Sequence, residues 1–61
     1  MELAERMVRY RAKHRMSQRQ LADECGLSLQ TVNSIENGIQ SPSRVTKAKI
    51  ELVIGKEENH D

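Results

Sequence analysis

Two helix-start signals and two helix-stop signals crowd into residues 17–38, SQRQLADECGLSLQTVNSIENG, and their spacing leaves the chain few ways to fold. Ser17 followed three residues later by Gln20 is the signature of a capping box, in which the side chain of each residue accepts from the backbone N–H of the other. Gly26 stands where that helix must leave through a left-handed residue, and Ser28 can cap a second helix that Asn37-Gly38 ends in the same way. Leu21, Ala22, Cys25, Leu27, Val32 and Ile35 then share one apolar interior, while Gln18, Arg19, Leu29, Gln30, Asn33 and Ser34 fall outside it. Two short helices about a fixed turn, with a row of amides and hydroxyls facing outward, are the expected unit.

That outward row carries the chemical clue. Gln and Asn hold a donor and an acceptor in one plane, matching the paired groups on an adenine edge. The motifs Ser17-Gln18, Leu21-Ala22, Gly26-Leu27-Ser28, Thr31-Val32 and Ile35-Glu36-Asn37-Gly38, together with Arg11, resemble the helix-turn-helix of the phage repressor and Cro-type DNA-binding family. The resemblance covers about the first two thirds of the chain. It implies an all-α, lambda-repressor-like helix-turn-helix bundle of four or five helices, with residues 1–55 as the DNA-binding domain and 17–37 as the helix-turn-helix unit. The family usually continues past a glycine like Gly55 into a fifth helix; here 56–61 is a charged run, expected to be a disordered tail.

The resemblance also implies roles. The third helix, 28–37, is the reading helix, its first residues entering the major groove. Gln18, Leu29, Gln30, Asn33 and Ser34 are the expected base readers, with Gln30 on an adenine and Leu29 on a thymine methyl. Gln18 stands where the family contacts either the DNA backbone or the first base of a half-site. Ser17, Arg19, Thr31, Asn37, Ser43, Arg44 and Lys47 are the expected phosphate contacts. In the family an arginine at the position of Arg11 reaches the glutamate that stands at Glu36, so a half-buried ion pair that orients the third helix against the first is expected. Met16 holds a place where the family usually carries Leu, and reads as core filler.

At 61 residues the chain is one domain, and without Trp or Phe its core must be aliphatic. The single Cys cannot form an internal disulfide and reads as a small buried hydrophobe. With charged residues directly after Met1 in place of an apolar signal, the expected location is the cytoplasm, and no run is long enough to cross a membrane. His14, Cys25 and His60 lack the close pairing of metal ligands, so no metal or cofactor is expected. No paired acid and base, partnered nucleophile or phosphate-cradling glycine loop speaks for an enzyme.

A net charge of +1 looks unsuited to nucleic acid until the charges are placed. Arg6, Arg9, Arg11, Lys13, Arg15 and Arg19 form an interval without a carboxylate, and Arg44, Lys47 and Lys49 form another, while the acids gather in Glu2, Glu5, Asp23, Glu24 and the tail. Exposed charges act over roughly 10 Å in ordinary salt, so the local sign decides what phosphate meets. Arg6, Arg9 and Lys13 read as a solvated outer face of the first helix.

The first helix is expected over 2–14, with Leu3, Met7, Tyr10 and His14 on one arc. The last begins at Ser41-Pro42 or as late as Thr46 and ends at Gly55. It carries two apolar stripes: Val45, Ala48 and Leu52 on one side, Ile50, Val53 and Ile54 on the other. One stripe suffices for the core, and the other is expected at a two-fold homodimer contact drawn from Ile50, Leu52, Val53 and Ile54. The function expected is a double-stranded DNA-binding transcriptional regulator that recognises an operator as a homodimer and represses. The alternative is a protein-interaction module, such as an antitoxin or anti-repressor partner, that uses the spare stripe and the tail.

Overall fold

The structure, a computed structural model, describes residues 2–58, and side chains as far as Lys56. Helix α1 spans Leu3–His14 and turns Met7 fully inward, with Leu3 and Tyr10 packed at the core's edge. His14, at the end of that arc, is exposed and lies against the Tyr10 ring, centroids 4.3 Å apart. The helix stops without a glycine: Arg15 adopts φ 55°, ψ 44°. A side chain in that left-handed conformation costs on the order of 1 kcal/mol. In return the Met16 N–H donates to the Arg11 carbonyl at 2.9 Å, and Met16 folds back onto the core.

Helix α2, Gln18–Cys25, and helix α3, Leu29–Glu36, are the predicted pair. Ser17 Oγ accepts from the Gln20 N–H at 3.0 Å while Gln20 Oε1 accepts from the Ser17 N–H at 2.8 Å, closing the capping box. Gly26 (φ 71°) lets the Leu27 N–H return to the Ala22 carbonyl at 2.8 Å, fixing the turn between the helices. Gly38 (φ 72°) does the same after α3, where the Ile39 N–H reaches the Ser34 carbonyl at 2.9 Å. Leu21, Ala22, Cys25, Val32 and Ile35 are buried and Leu27 half-buried, as their spacing requires.

Helix α4, Arg44–Glu58, starts at Ser43, whose hydroxyl accepts from the Thr46 N–H at 3.2 Å. It settles which stripe is core: Ile50 and Ile54 are fully buried and Val53 packs beside them, whereas Val45 and Leu52 stay 66% and 71% exposed. Two expectations need correction. Ile50 and Ile54 have no surface to offer a second copy, so neither can serve the expected dimer contact; the apolar residues that α4 leaves exposed are Val45, Ala48 and Leu52, with half-buried Val53 at their margin. And α4 does not end at Gly55 but runs through it to Glu58. A glycine in a helix costs about 1 kcal/mol relative to alanine, but Gly55 and its neighbour Ile54 are both buried, and packing of that kind outweighs the local stop signal. Lys56–Glu58 are therefore helical, and the rest of the expected tail, 59–61, lies outside the described residues.

α1 and α2 each pack against both α3 and α4, so the core sits among all four helices. Arg6, expected to be solvated, instead ties α1 to α4: its two terminal nitrogens donate to the two Glu51 carboxylate oxygens at 2.7 and 2.6 Å. Those hydrogen bonds hold the Glu51 carboxyl below its ordinary pKa, with the nearby Arg6 and Lys47 charges adding to the effect. A lowered carboxylate pKa contributes stability above the usual carboxylate range, and that contribution fades as pH falls through the lowered value. The pair is partly solvated, so its contribution is small, about 0.5–1 kcal/mol. Arg6→Gln should lower stability by about that much at neutral pH, the difference from wild type shrinking to nothing in acid. Urea titrations at several pH values check this, and a gap that persists in acid would mean that Arg6 acts through packing.

Candidate nucleic-acid interface

α3 buries one side and leaves the other bare. Val32 and Ile35 turn into the core, and at 3.6 residues per turn this puts Gln30, Asn33 and Asn37 at the centre of the opposite face, all exposed. Leu29, 42% exposed, stands at one margin of that face and half-buried Ser34 at the other.

Two of the three hydroxyls expected on phosphate, Ser17 and Ser43, already hold helix starts, and the third, Thr31, lies against the Ser28 cap. Ser17 caps α2; Ser28 Oγ accepts from the Thr31 N–H at 3.1 Å and lies 2.8 Å from Thr31 Oγ1; Ser43 Oγ caps α4 and donates to Thr46 Oγ1 at 3.0 Å. Capping accounts for one acceptor on Ser17 and Ser43, and the first-turn N–H groups beside them stay oriented outward, where the helix dipole favours an anion. Arg19, Arg44 and Lys47 are exposed near these starts, so cation and helix end coincide at α2 and again at α4. The Ser43-x-x-Thr46 spacing is itself a helix-start pattern, standing in the sequence beside the competing start at Ser41-Pro42.

Beneath the face lies the ion pair. Arg11 donates from Nε and Nη2 to the two Glu36 oxygens at 2.8 and 2.7 Å, and from Nη1 to the Met16 carbonyl at 3.2 Å. The hydrogen bonds to Glu36 raise the Arg11 pKa further. The Glu36 side chain is 3% exposed and the Arg11 side chain 21%, so this is a half-buried pair that fixes α3 on α1. From Glu36 a row of amides climbs to the surface. Gln18 Nε2 donates to Glu36 Oε1 at 3.0 Å, Asn33 Nδ2 to Gln18 Oε1 at 3.1 Å, and Asn37 Nδ2 to Asn33 Oδ1 at 3.2 Å. The row joins three residues read separately from the sequence, and no spacing rule predicts it, since it crosses from α2 to α3.

The Cys25 thiol is raised above its ordinary pKa by burial, with the Glu24 charge adding to it, so it stays protonated and packs as a hydrophobe.

A helix-turn-helix family model matches residues 7–59, reaching from α1 to the end of α4. This chain belongs to the helix-turn-helix family. The match takes in most of α1 and the whole of α2, the turn after it, α3 and α4. Comparison with curated proteins and with solved structures gives no match. Helix-turn-helix domains bind DNA, and no helix among the described residues of this one is long and apolar enough to cross a membrane.

Proposed function

We propose that this helix-turn-helix protein is a sequence-specific reader of double-stranded DNA, of the phage repressor and Cro type and similar to xenobiotic-response-element-like regulators. It represses transcription in the cytoplasm as a homodimer that occludes a promoter at a partly palindromic operator. The observation that carries this reading is the bare face of α3: Gln30, Asn33 and Asn37 project from a helix that is anchored on its other side by Val32, Ile35 and the Arg11–Glu36 pair. Rigid amides on a short exposed helix suit a major groove, and a reading helix gains from an anchored base.

Phosphate contacts supply most of the affinity and the α3 side chains supply choice of sequence. Arg19 and the capped start of α2 grip one stretch of backbone; Asn37, Ser43, Arg44 and Lys47, around the loop after α3, grip another. Leu29, Gln30, Asn33 and Ser34 read bases, Leu29 through a thymine methyl. The exposed stripe of Val45, Ala48 and Leu52 on α4 supports the two-fold contact, and it equally supports a second reading in which α4 holds a protein partner.

The test is fluorescence anisotropy against a randomised duplex pool, then against the selected winner and its single-base-pair variants. Wild type should select a palindrome. Gln30→Ala should lose discrimination at one base pair per half-site, by about tenfold or more, with binding to unselected duplex unchanged. A wild type that selects no sequence would remove the DNA reading and leave the protein-partner one.

A further inference from the structure

The amide row has a direction, and the direction comes from its buried end. A carboxylate only accepts hydrogen bonds, so whichever way Gln18 would prefer to turn, its NH2 group must face Glu36 and its carbonyl must face away. That carbonyl in turn accepts only a donor, so Asn33 presents its NH2 group to Gln18 and its own carbonyl to Asn37. An isolated Asn at an exposed position flips freely, exchanging donor and acceptor. Here the flip would set the Asn33 carbonyl against the Gln18 carbonyl, two acceptors with no proton between them, and the Asn37 amide against another NH2 group.

An adenine edge offers an acceptor at N7 and a donor at N6 in fixed order, so only one flip state of a reading amide matches it. We propose that Glu36 sets the polarity of the reading amide of Asn33 through Gln18, which makes Gln18 a positioning residue for recognition and not itself a base contact. The inference rests on the DNA-reading function proposed above and adds a role to two residues. Glu36 both anchors α3 through Arg11 and orients its outer face, and Gln18 transmits that orientation across the turn. Each amide of the row keeps one N–H uncommitted, so locking its direction does not exhaust its capacity to bind.

The experiment is a double-mutant cycle on discrimination. Gln18→Met keeps the volume, leaves the Arg11–Glu36 pair untouched and cuts the row; Asn33→Ala removes the reader; the double variant carries both. Each protein is titrated onto the selected duplex, its single-base-pair variants and an unselected duplex, with melting as the check on folding. The expected result is that Gln18→Met and Asn33→Ala lose discrimination at the same base pair, each by about tenfold, and that the double variant loses no more than either. Binding to unselected duplex stays unchanged for Gln18→Met. Losses that multiply, that fall on different base pairs, or that weaken all duplexes alike in Gln18→Met would make Gln18 a direct contact and overturn the proposal.

A DNA-free readout accompanies it. In wild type the NMR signal of the Asn33 side-chain N–H that faces Gln18 should stand displaced from its free-amide position and exchange slowly with water, and in Gln18→Met it should return towards that position and exchange faster; identical signals in both proteins would overturn the relay itself. Failure of the underlying DNA reading looks different, since wild type would then select no duplex at all, and the positioning role would fall with it.

Discussion

Arg11→Ala should unfold a substantial fraction of the protein at room temperature, with a loss of about 3–5 kcal/mol. The reason is the state it leaves behind. Glu36 is 3% exposed and draws three hydrogen bonds, two from Arg11 and one from Gln18. Without the guanidinium its charge is buried against one neutral amide. A domain of this length holds only about 3–9 kcal/mol in total, so one such loss takes most of the margin.

The partner variant should be milder. Glu36→Ala leaves a guanidinium that is 21% exposed and still donates to the Met16 carbonyl at 3.2 Å, so Arg11 can turn toward water. The expected order is therefore Arg11→Ala worse than Glu36→Ala, read from urea midpoints at constant slope. The apolar double variant Arg11→Met/Glu36→Leu should recover most of the lost stability, because desolvation offsets much of what the pair gains and two well-packed apolar groups carry no such cost. Alkali offers no route to breaking the pair. Hydrogen bonding to Glu36 raises an arginine pKa that is already beyond ordinary buffers, so the stabilisation is fully present at neutral pH and is lost only as pH rises through that raised value. Equal melting of Arg11→Ala and wild type would mean that the pair is solvated and that α3 is held by Val32 and Ile35 alone.

The parts of the fold that could be read from the sequence are those decided locally. The Ser17–Gln20 box, the left-handed Gly26 and the Ser28 cap each involve residues a few positions apart, so spacing suffices to place α2, the turn and α3. Arg11 and Glu36 are 25 residues apart and became legible only through the family resemblance. What depends on how helices cross was not legible. Arg6 and Glu51, 45 residues apart, meet because α1 and α4 pack together, and nothing in either helix marks the other. α4 carries apolar residues on both sides, so periodicity could not choose between Ile50 with Ile54 and Val45 with Leu52; the space left by α1 and α2 chose. Gly55 shows the same conflict in miniature, a local stop overridden by burial. Arg15 is the reverse case, a left-handed helix end without the glycine that would announce it. For the interface, composition and spacing put amides on the outer face of α3, but the direction of those amides follows from Glu36 beneath them and exists only in three dimensions.

The largest effect expected on DNA binding comes from salt. Arg19, Arg44 and Lys47 are the exposed cations beside the helix starts proposed to meet phosphate. Three per protomer give a dimer six charge contacts and a slope of about −5 in log Kobs against log salt, roughly a thousandfold weakening from about 50 to about 200 mM. Arg44→Ala should reduce the magnitude of that slope by about 2, one contact from each protomer, and weaken selected and unselected duplexes alike, because a phosphate contact carries no sequence. Arg9→Ala, on the part of α1 lined by Ala4, Val8 and Ala12, should leave the slope unchanged. Leu52→Glu adds the assembly to the same measurement. Charging the exposed stripe of α4 should split the dimer and halve the slope, whereas a stripe that serves a different protein would leave it intact. A shallow wild-type slope, near that of a single cation, would count against all three contacts at once and would leave the capped starts of α2 and α4 as structural ends only.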